Sequence, residues 1–368
     1  MLLALNNGIV LLTCLWLLFV SASSKDDAIS GHPTHCNSTS MVFGRWVKGL
    51  VLDSNATKTS SCGLLTDYEL VENGANHTLR APDISKYCWK PHDCILHSFS
   101  VRHFCHLTMN HSILIIGDST QYMFFQALIK QINPNIQPAS QWEPTAFHRI
   151  CNTTMKLKYL RNDHLMPDMN GRLSLNWKLW INDYDIILVN TGSHINEYKE
   201  FLRWTEYAAV EFSKKVNGTN KLFVYRTTAQ PHPYCSPSDQ ADLRPIHNYN
   251  DVHFAELDED SPYNEFKWYL IPSREKKIIK LFERNIAPQN FELFDIAPMT
   301  SLRKDGYVVF SLPFFLVTSL ILSLYLLRSL LHNISHRAPG DCLHFYLPSV
   351  IDSWVQLFFN ILARRYSK

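Results

Sequence analysis

Residues 113–125, ILIIGDSTQYMFF, set four aliphatic side chains ahead of Gly117-Asp118-Ser119 and an apolar, aromatic run behind it. The aliphatic residues read as a buried strand, and the continuation TQYMFFQALIKQI reads as a helix with one apolar face. A strand-to-helix turn between them would expose the Ser119 hydroxyl at the carboxyl edge of a sheet. Backbone N–H groups at the helix start, that of Ser119 included, would favour a developing oxyanion there. Gly117 permits a tight turn. Asp118 reads as the helix cap, since adjacent residues on such a turn point apart. A serine is a poor nucleophile at neutral pH unless a base takes its proton, so this reading requires a distant histidine and a carboxylate.

The same texture recurs downstream. YDIILVNTG reads as a second strand ending in a turn, KLFVYRTT (221–228) as a third, and SREKKIIKLFERNI (273–286) as a helix with Ser273 at its N-cap. FELFDIAPMT (291–300) reads as a strand running into a Pro-broken loop, and an amphipathic helix is expected from near Pro348. Strands alternating with helices imply an α/β fold with a parallel sheet covered on both faces. Upstream, residues 25–110 hold five cysteines, with Trp46, Tyr68, Tyr87 and Trp89 between them and little periodicity. That stretch reads as a disulfide-stapled, loop-rich N-terminal lobe.

The partners for Ser119 are offered by DCLH. Asp341 and His344 are three residues apart, so one turn of chain can hold the carboxylate against one imidazole nitrogen while the other faces the serine. In NTGSH, Asn190 and Gly192 follow a strand and could aim an amide and a backbone N–H at the same oxyanion. The order Ser, Asp, His suits an α/β acyl-transfer enzyme. Each piece has a plainer reading as turn, cap or structural histidine; it is their joint placement at strand ends that favours chemistry. A zinc site built from Asp341, Cys342 and His344 is disfavoured, because this chain is directed to a compartment where thiols pair as disulfides.

That compartment is read from the first 24 residues, where the apolar stretch from Ile9 to Val20 is followed by small residues, as in a signal peptide or an uncleaved anchor. Sequons at Asn37, Asn55, Asn76, Asn110, Asn152, Asn217 and Asn333 agree with passage through the secretory pathway, to the Golgi lumen or outside the cell. Setting Cys14 aside with the leader leaves Cys36, Cys62, Cys88, Cys94, Cys105, Cys151, Cys235 and Cys342 as disulfide candidates of open pairing. Thirty-five Lys and Arg against 33 Asp and Glu, without a long charge run, argue against a nucleic-acid partner.

GDS after a buried strand, NTG after a later one, then VYRTTAQPHPYC, DIAPMTSLRKDG and DCLHFYLPSVIDSW in that order resemble the trichome-birefringence-like or PC-esterase family of the GDSL/SGNH superfamily. KYCWKPHDCILHSFS resembles that family's lead-in. The resemblance covers most of residues 36–368 and implies a three-layer α/β/α fold and acyl-ester chemistry on glycan or polysaccharide hydroxyls, often as a Golgi O-acetyltransferase. It implies Ser119 as nucleophile, Asp341 and His344 as its partners, and Asn190 and Gly192 as oxyanion donors. No tightly bound cofactor is implied; the acyl donor could be acetyl-CoA or another acetyl carrier. A carbohydrate ester hydrolase would use the same triad, and an inactive glycan-binding or membrane glycoprotein could retain the fold.

One stretch interrupts the resemblance. Tyr307–Leu327 is 21 residues without a charge, long enough to cross a bilayer as a helix, and it separates RKDG from DCLH. A span here would set Ser119 and His344 on opposite sides of the membrane. Three readings are open: a stretch foreign to the domain, such as a translated intron; an insertion packed beside the site or dipping into a membrane face; or a true span that splits the site. The expected organisation is therefore a leader (1–24), the Cys-rich lobe (25–110), the α/β domain (111–306), the hydrophobic insert (307–336) and a C-terminal segment (337–368) completing the α/β domain. Membrane attachment, if present, would run through residues 1–24 or 307–327.

Overall fold

The structure is a computed structural model that describes residues 34–49, 51–53, 58–60, 62–65, 87–137, 145–148, 150–151, 155–166, 175–194, 197–231, 267–303, 307–308, 341–345 and 347–367. Along the chain, β1 (Gly44–Lys48), β2 (Val51–Asp53), β3 (Lys58–Ser60), β4 (Tyr87–Pro91) and α1 (Val101–Leu107) precede β5 (Ile113–Gly117) and α2 (Ser119–Ile132). There follow β6 (Thr145–His148), β7 (Lys156–Arg161), β8 (Ile186–Val189), α3 (Tyr198–Val216), β9 (Leu222–Arg226), α4 (Ile271–Asn285), β10 (Phe291–Phe294), α5 (Ala297–Ser301), β11 (Tyr307–Val308), β12 (Asp341–Phe345) and α6 (Val350–Tyr366).

The main sheet has the order β10-β9-β8-β5-β7-β6. All its pairs are parallel except the edge pair of β6 and β7. Residues 113–116 of β5 are completely buried, as a central strand covered on both faces must be. Alternation assigns them to two cores: Ile113 and Ile115 face the one shared with α2 and α6, Leu114 and Ile116 the one shared with α3 and α4. On the first face Phe124 of α2 meets Phe358 of α6 edge-on at 5.6 Å. On the second, Phe223 lies 4.9 Å from both Phe212 and Phe282. The expected α/β architecture with helices on both faces is therefore present.

Several elements differ from their sequence reading. Helix α2 is buried nearly all round, not along one stripe, because α6 covers the side that would otherwise face water. Its polar residues are paired: Gln131 donates to Asp352 of α6 at 2.7 Å and bonds both backbone groups of Leu65. Helix α6 is likewise enclosed as far as Ala363, not amphipathic, and is opened by a capping box between Ser349 and Asp352. Helix α4 starts at Ile271, so Ser273 lies in its first turn and donates to Leu270 O instead of capping. Pro272 fits that turn because the N–H it lacks would have no helical partner. The same reason lets Pro298 open α5 where a loop was expected.

In the N-terminal lobe β1 and β4 pair antiparallel with Trp46 opposite Trp89. The Trp46 indole N–H donates to Met299 O at 2.9 Å, which docks the lobe on the α/β core. Three disulfides join Cys36 to Cys94, Cys62 to Cys88 and Cys105 to Cys151. They fit an oxidising compartment. The side chains of Cys235 and Cys342 lie outside the described residues, as do the leader and the sequons at Asn55, Asn76, Asn152 and Asn333. Asn37, Asn110 and Asn217 are exposed, as glycan attachment requires.

The hydrophobic run is constrained at its two ends. Tyr307 pairs with Phe345 and Val308 with Asp341 in one antiparallel ladder. The chain thus leaves and returns at neighbouring strand positions about 5 Å apart, whereas a single passage would separate its ends by about 30 Å. The reading of a span that splits the site is corrected accordingly. Residues 309–340 lie outside the described residues. Among the described residues no helix is long and apolar enough to cross a membrane.

Candidate active site

The turn from β5 to α2 is built by the residues around Gly117. A Cβ at this position would come within 1.8 Å of Asn190 Oδ1, so only glycine admits the asparagine side chain. Asn190 Oδ1 accepts from Asp118 N at 3.2 Å, and the Tyr159 hydroxyl donates to the carbonyls of Gly117 and Asp118 at 3.2 and 3.1 Å. Asp118 caps α2 as expected, with Oδ1 accepting from Thr120 N, Gln121 N and the Thr120 hydroxyl. Ser119 therefore stands at the first helical position and is 8% exposed, which leaves its hydroxyl reachable in an otherwise closed turn.

The structure brings His344 to this hydroxyl. His344 Nε2 lies 2.6 Å from Ser119 Oγ although the residues are 225 positions apart. Asp341 opens the same strand, so the expected single turn of chain is corrected: residues 341–345 are extended. Spacing alone does not bring two strand residues three apart into contact, since an extended chain rises about 3.3 Å per residue. The Asp341 carboxylate itself lies outside the described side chains.

Asn190 and Gly192 follow β8 beside the turn. With Oδ1 held by Asp118 N, the Asn190 Nδ2 donor is buried and has no hydrogen-bond partner among the described residues. Gly192 has φ +127°, and a Cβ there would meet Thr228 Oγ1 at 2.5 Å. Thr228 Oγ1 donates to Thr191 O at 2.6 Å, so the loop is held against the end of β9.

Several charged residues of the site carried no expectation from sequence. Arg226, at the end of β9, is fully buried, donates to Gln121 Oε1 and, at 2.8 Å, to Thr120 Oγ1, and lies 4.0 Å from Asp118 Oδ1. Arg161, at the end of β7, pairs with Asp163, whose Oδ2 is 3.8 Å from His194 Nε2. Burial pushes the Asp118 carboxyl up, but Arg226, His194, the Thr120 hydroxyl and Arg161 outweigh it, so the group stays well below the usual carboxylate range and ionised. Burial also lowers His164, which favours its neutral form. The sequence signal for Arg226 was a charge closing an otherwise apolar strand, LFVYR; such a charge enters a core only with partners.

Glu275 of α4 is buried behind Thr228. Burial pushes its carboxyl from 4.5 up to about 7, against hydrogen bonds from Tyr225 and Thr228. Between these values the folded protein keeps a proton that the unfolded chain has released, so stability falls as pH rises through this window and levels off above it. The loss is on the order of 3 kcal/mol between about pH 4 and pH 8. Glu275→Gln, which cannot ionise, should flatten that slope. Urea midpoints measured against pH check this; parallel slopes for the two proteins would sink it.

A three-layer α/β/α fold carrying a serine–histidine pair at the carboxyl edge of its sheet is the class that the fold and site define. No family model matches the chain. The chain is 21% identical over 335 residues to Protein trichome birefringence-like 9 of Arabidopsis thaliana, covering 76% of this chain and 72% of that relative. It is 24% identical over 173 residues to Protein trichome birefringence-like 24 of Arabidopsis thaliana, covering 40% of this chain and 38% of the relative. These two relatives bear out the resemblance to the trichome-birefringence-like family.

Proposed function

We propose that the protein transfers an acyl group, with acetyl as the expected one, to a carbohydrate hydroxyl through a covalent ester on Ser119. The observation that carries this reading is the 2.6 Å contact between Ser119 Oγ and His344 Nε2. In the first half-reaction Oγ attacks the acyl carbonyl while His344 takes its proton. The carbonyl oxygen becomes an oxyanion beside Asn190 Nδ2 and the backbone N–H groups of Ser119 and Gly192. Collapse of this intermediate breaks the bond to the donor's leaving group, which departs with the proton from His344. In the second half-reaction His344 deprotonates a sugar hydroxyl, whose oxygen attacks the Ser119 ester; the acyl group passes to the sugar and the proton returns to Ser119. Asp341 takes the third place of the triad from the family resemblance and the order of the motifs, holding the tautomer of His344 and stabilising its imidazolium. The donor, acetyl-CoA or another acetyl carrier, is a substrate, and the reaction is assigned to the secretory lumen.

A serine-directed fluorophosphonate should label the full chain once, on the peptide that contains Ser119. Incubation with acyl donors and oligosaccharides should then give acylated sugar in excess of free acid. Free acid alone would replace the transferase by an ester hydrolase, and label on another peptide would reject the nucleophile.

A further inference from the structure

The fully buried Arg226 bonds the helix that starts at Ser119, but it touches neither the hydroxyl nor the imidazole in any described contact. Its guanidinium donates to Gln121 Oε1 and Thr120 Oγ1, which binds the first turn of α2 from beneath. Its plane faces Trp354 of α6, whose ring lies 5.0 Å away. Trp354 in turn packs edge-on against Phe345, the residue after His344, at 5.6 Å, and is held by its indole N–H to Thr300 Oγ1 at 3.0 Å. One cation therefore connects the nucleophile's helix with the packing behind the histidine's strand.

We infer that Arg226 is a positioning residue that registers the Ser119 side of the site against the His344 side. This rests on the reading of Ser119 as nucleophile. The chemistry favours arginine, because a planar guanidinium can serve two acceptors in fixed directions while its face rests on an indole. A lysine at the same place offers a compact ammonium that cannot hold both acceptors in that plane. The charge also balances the buried Asp118 carboxylate, which caps the same helix. The groups acting on Asp118 are Arg226, His194, Thr120 and Arg161, and those acting on Arg226 are Asp118, Tyr225, Glu275 and Tyr159. Loss of Arg226 leaves the carboxylate with the weaker counter-charges of His194 and Arg161, so it should take up a proton at higher pH than in the wild-type protein.

The test is the rate of fluorophosphonate labelling, with thermal midpoints, for the full-length wild type, Arg226→Met, Arg226→Lys and Gln121→Leu. In labelling, the Oγ–P bond forms, the P–F bond breaks with departure of fluoride, and the serine proton passes to His344, so the rate reads how well the two side chains are aligned. Arg226→Met is expected to label about 10- to 100-fold more slowly at temperatures where it is fully folded, the scale of a small misplacement of reacting groups. Arg226→Lys should recover part of the rate, about tenfold below the wild type, and Gln121→Leu should slow labelling as well because it removes one of the two acceptors. A role in folding alone would lower the thermal midpoint and leave the labelling rate of the folded protein at the wild-type value. Folded Arg226 variants with the wild-type rate would overturn the inference; if they do not fold, a wild-type rate in Gln121→Leu would do so. A wild-type protein labelled at a residue other than Ser119 would overturn both the inference and the reading beneath it.

Discussion

Ser119→Ala is expected to abolish covalent labelling and acyl transfer, and His344→Gln to slow the first half-reaction by about 10⁴- to 10⁶-fold. The two losses arise from the same 2.6 Å contact. Alanine removes the only atom that can carry the ester. Glutamine keeps a polar group of similar reach but cannot accept the serine proton, so Oγ would attack as a neutral hydroxyl. His344 is only half-buried, so its replacement should move the thermal midpoint by no more than a few degrees. Single-turnover labelling rates check this prediction. A folded His344→Gln protein that labels within tenfold of the wild-type rate would remove the imidazole from the mechanism.

Asn190→Ala should lower kcat about 10²- to 10³-fold with little change in KM, the range for removing one donor from an oxyanion site. The geometry explains why the effect should fall on kcat. Asn190 Oδ1 is fixed by Asp118 N, and the Nδ2 donor has no partner among the described residues. Such a donor is costly to bury in the resting protein and gains its hydrogen bond when negative charge develops on the substrate oxygen. Asn190→Asp separates the two ends of the side chain. It keeps an acceptor for Asp118 N yet presents an oxygen where the oxyanion needs a donor, so it should be at least as slow as the alanine variant. Wild-type kcat in the aspartate variant would show that only the Asp118 contact matters.

The central strand, the turn and the start of α2 were legible because their signals are local: four aliphatics, a glycine, a capping aspartate and a serine in consecutive positions. The strands at 186–189, 222–226 and 291–294 were legible for the same reason. β6 and β7 were not read, because KLKYLR carries three charges among its six residues. Lys158 enters the structure by resting on the Trp180 ring, 3.3 Å from its centroid, and Arg161 by pairing with Asp163. No pattern within a short window reveals such compensations. The enclosure of α2 and α6 was misjudged for a related reason: their polar residues find partners in one another and in the N-terminal lobe.

The sequence by itself determined the local conformations and the chemical parts: a serine at a strand-to-helix turn, an asparagine and a glycine after another strand, and an aspartate and a histidine near the end. Only the tertiary structure decided which of these meet. It brings His344 to Ser119 across 225 positions and sets Asn190 against the turn, and it returns the chain at Asp341 beside Val308. It also supplies the buried Arg226, whose partners lie 105 and 106 positions away. Backbone preferences act over a few residues, whereas these contacts form when burial of the two apolar faces of the sheet closes the chain upon itself.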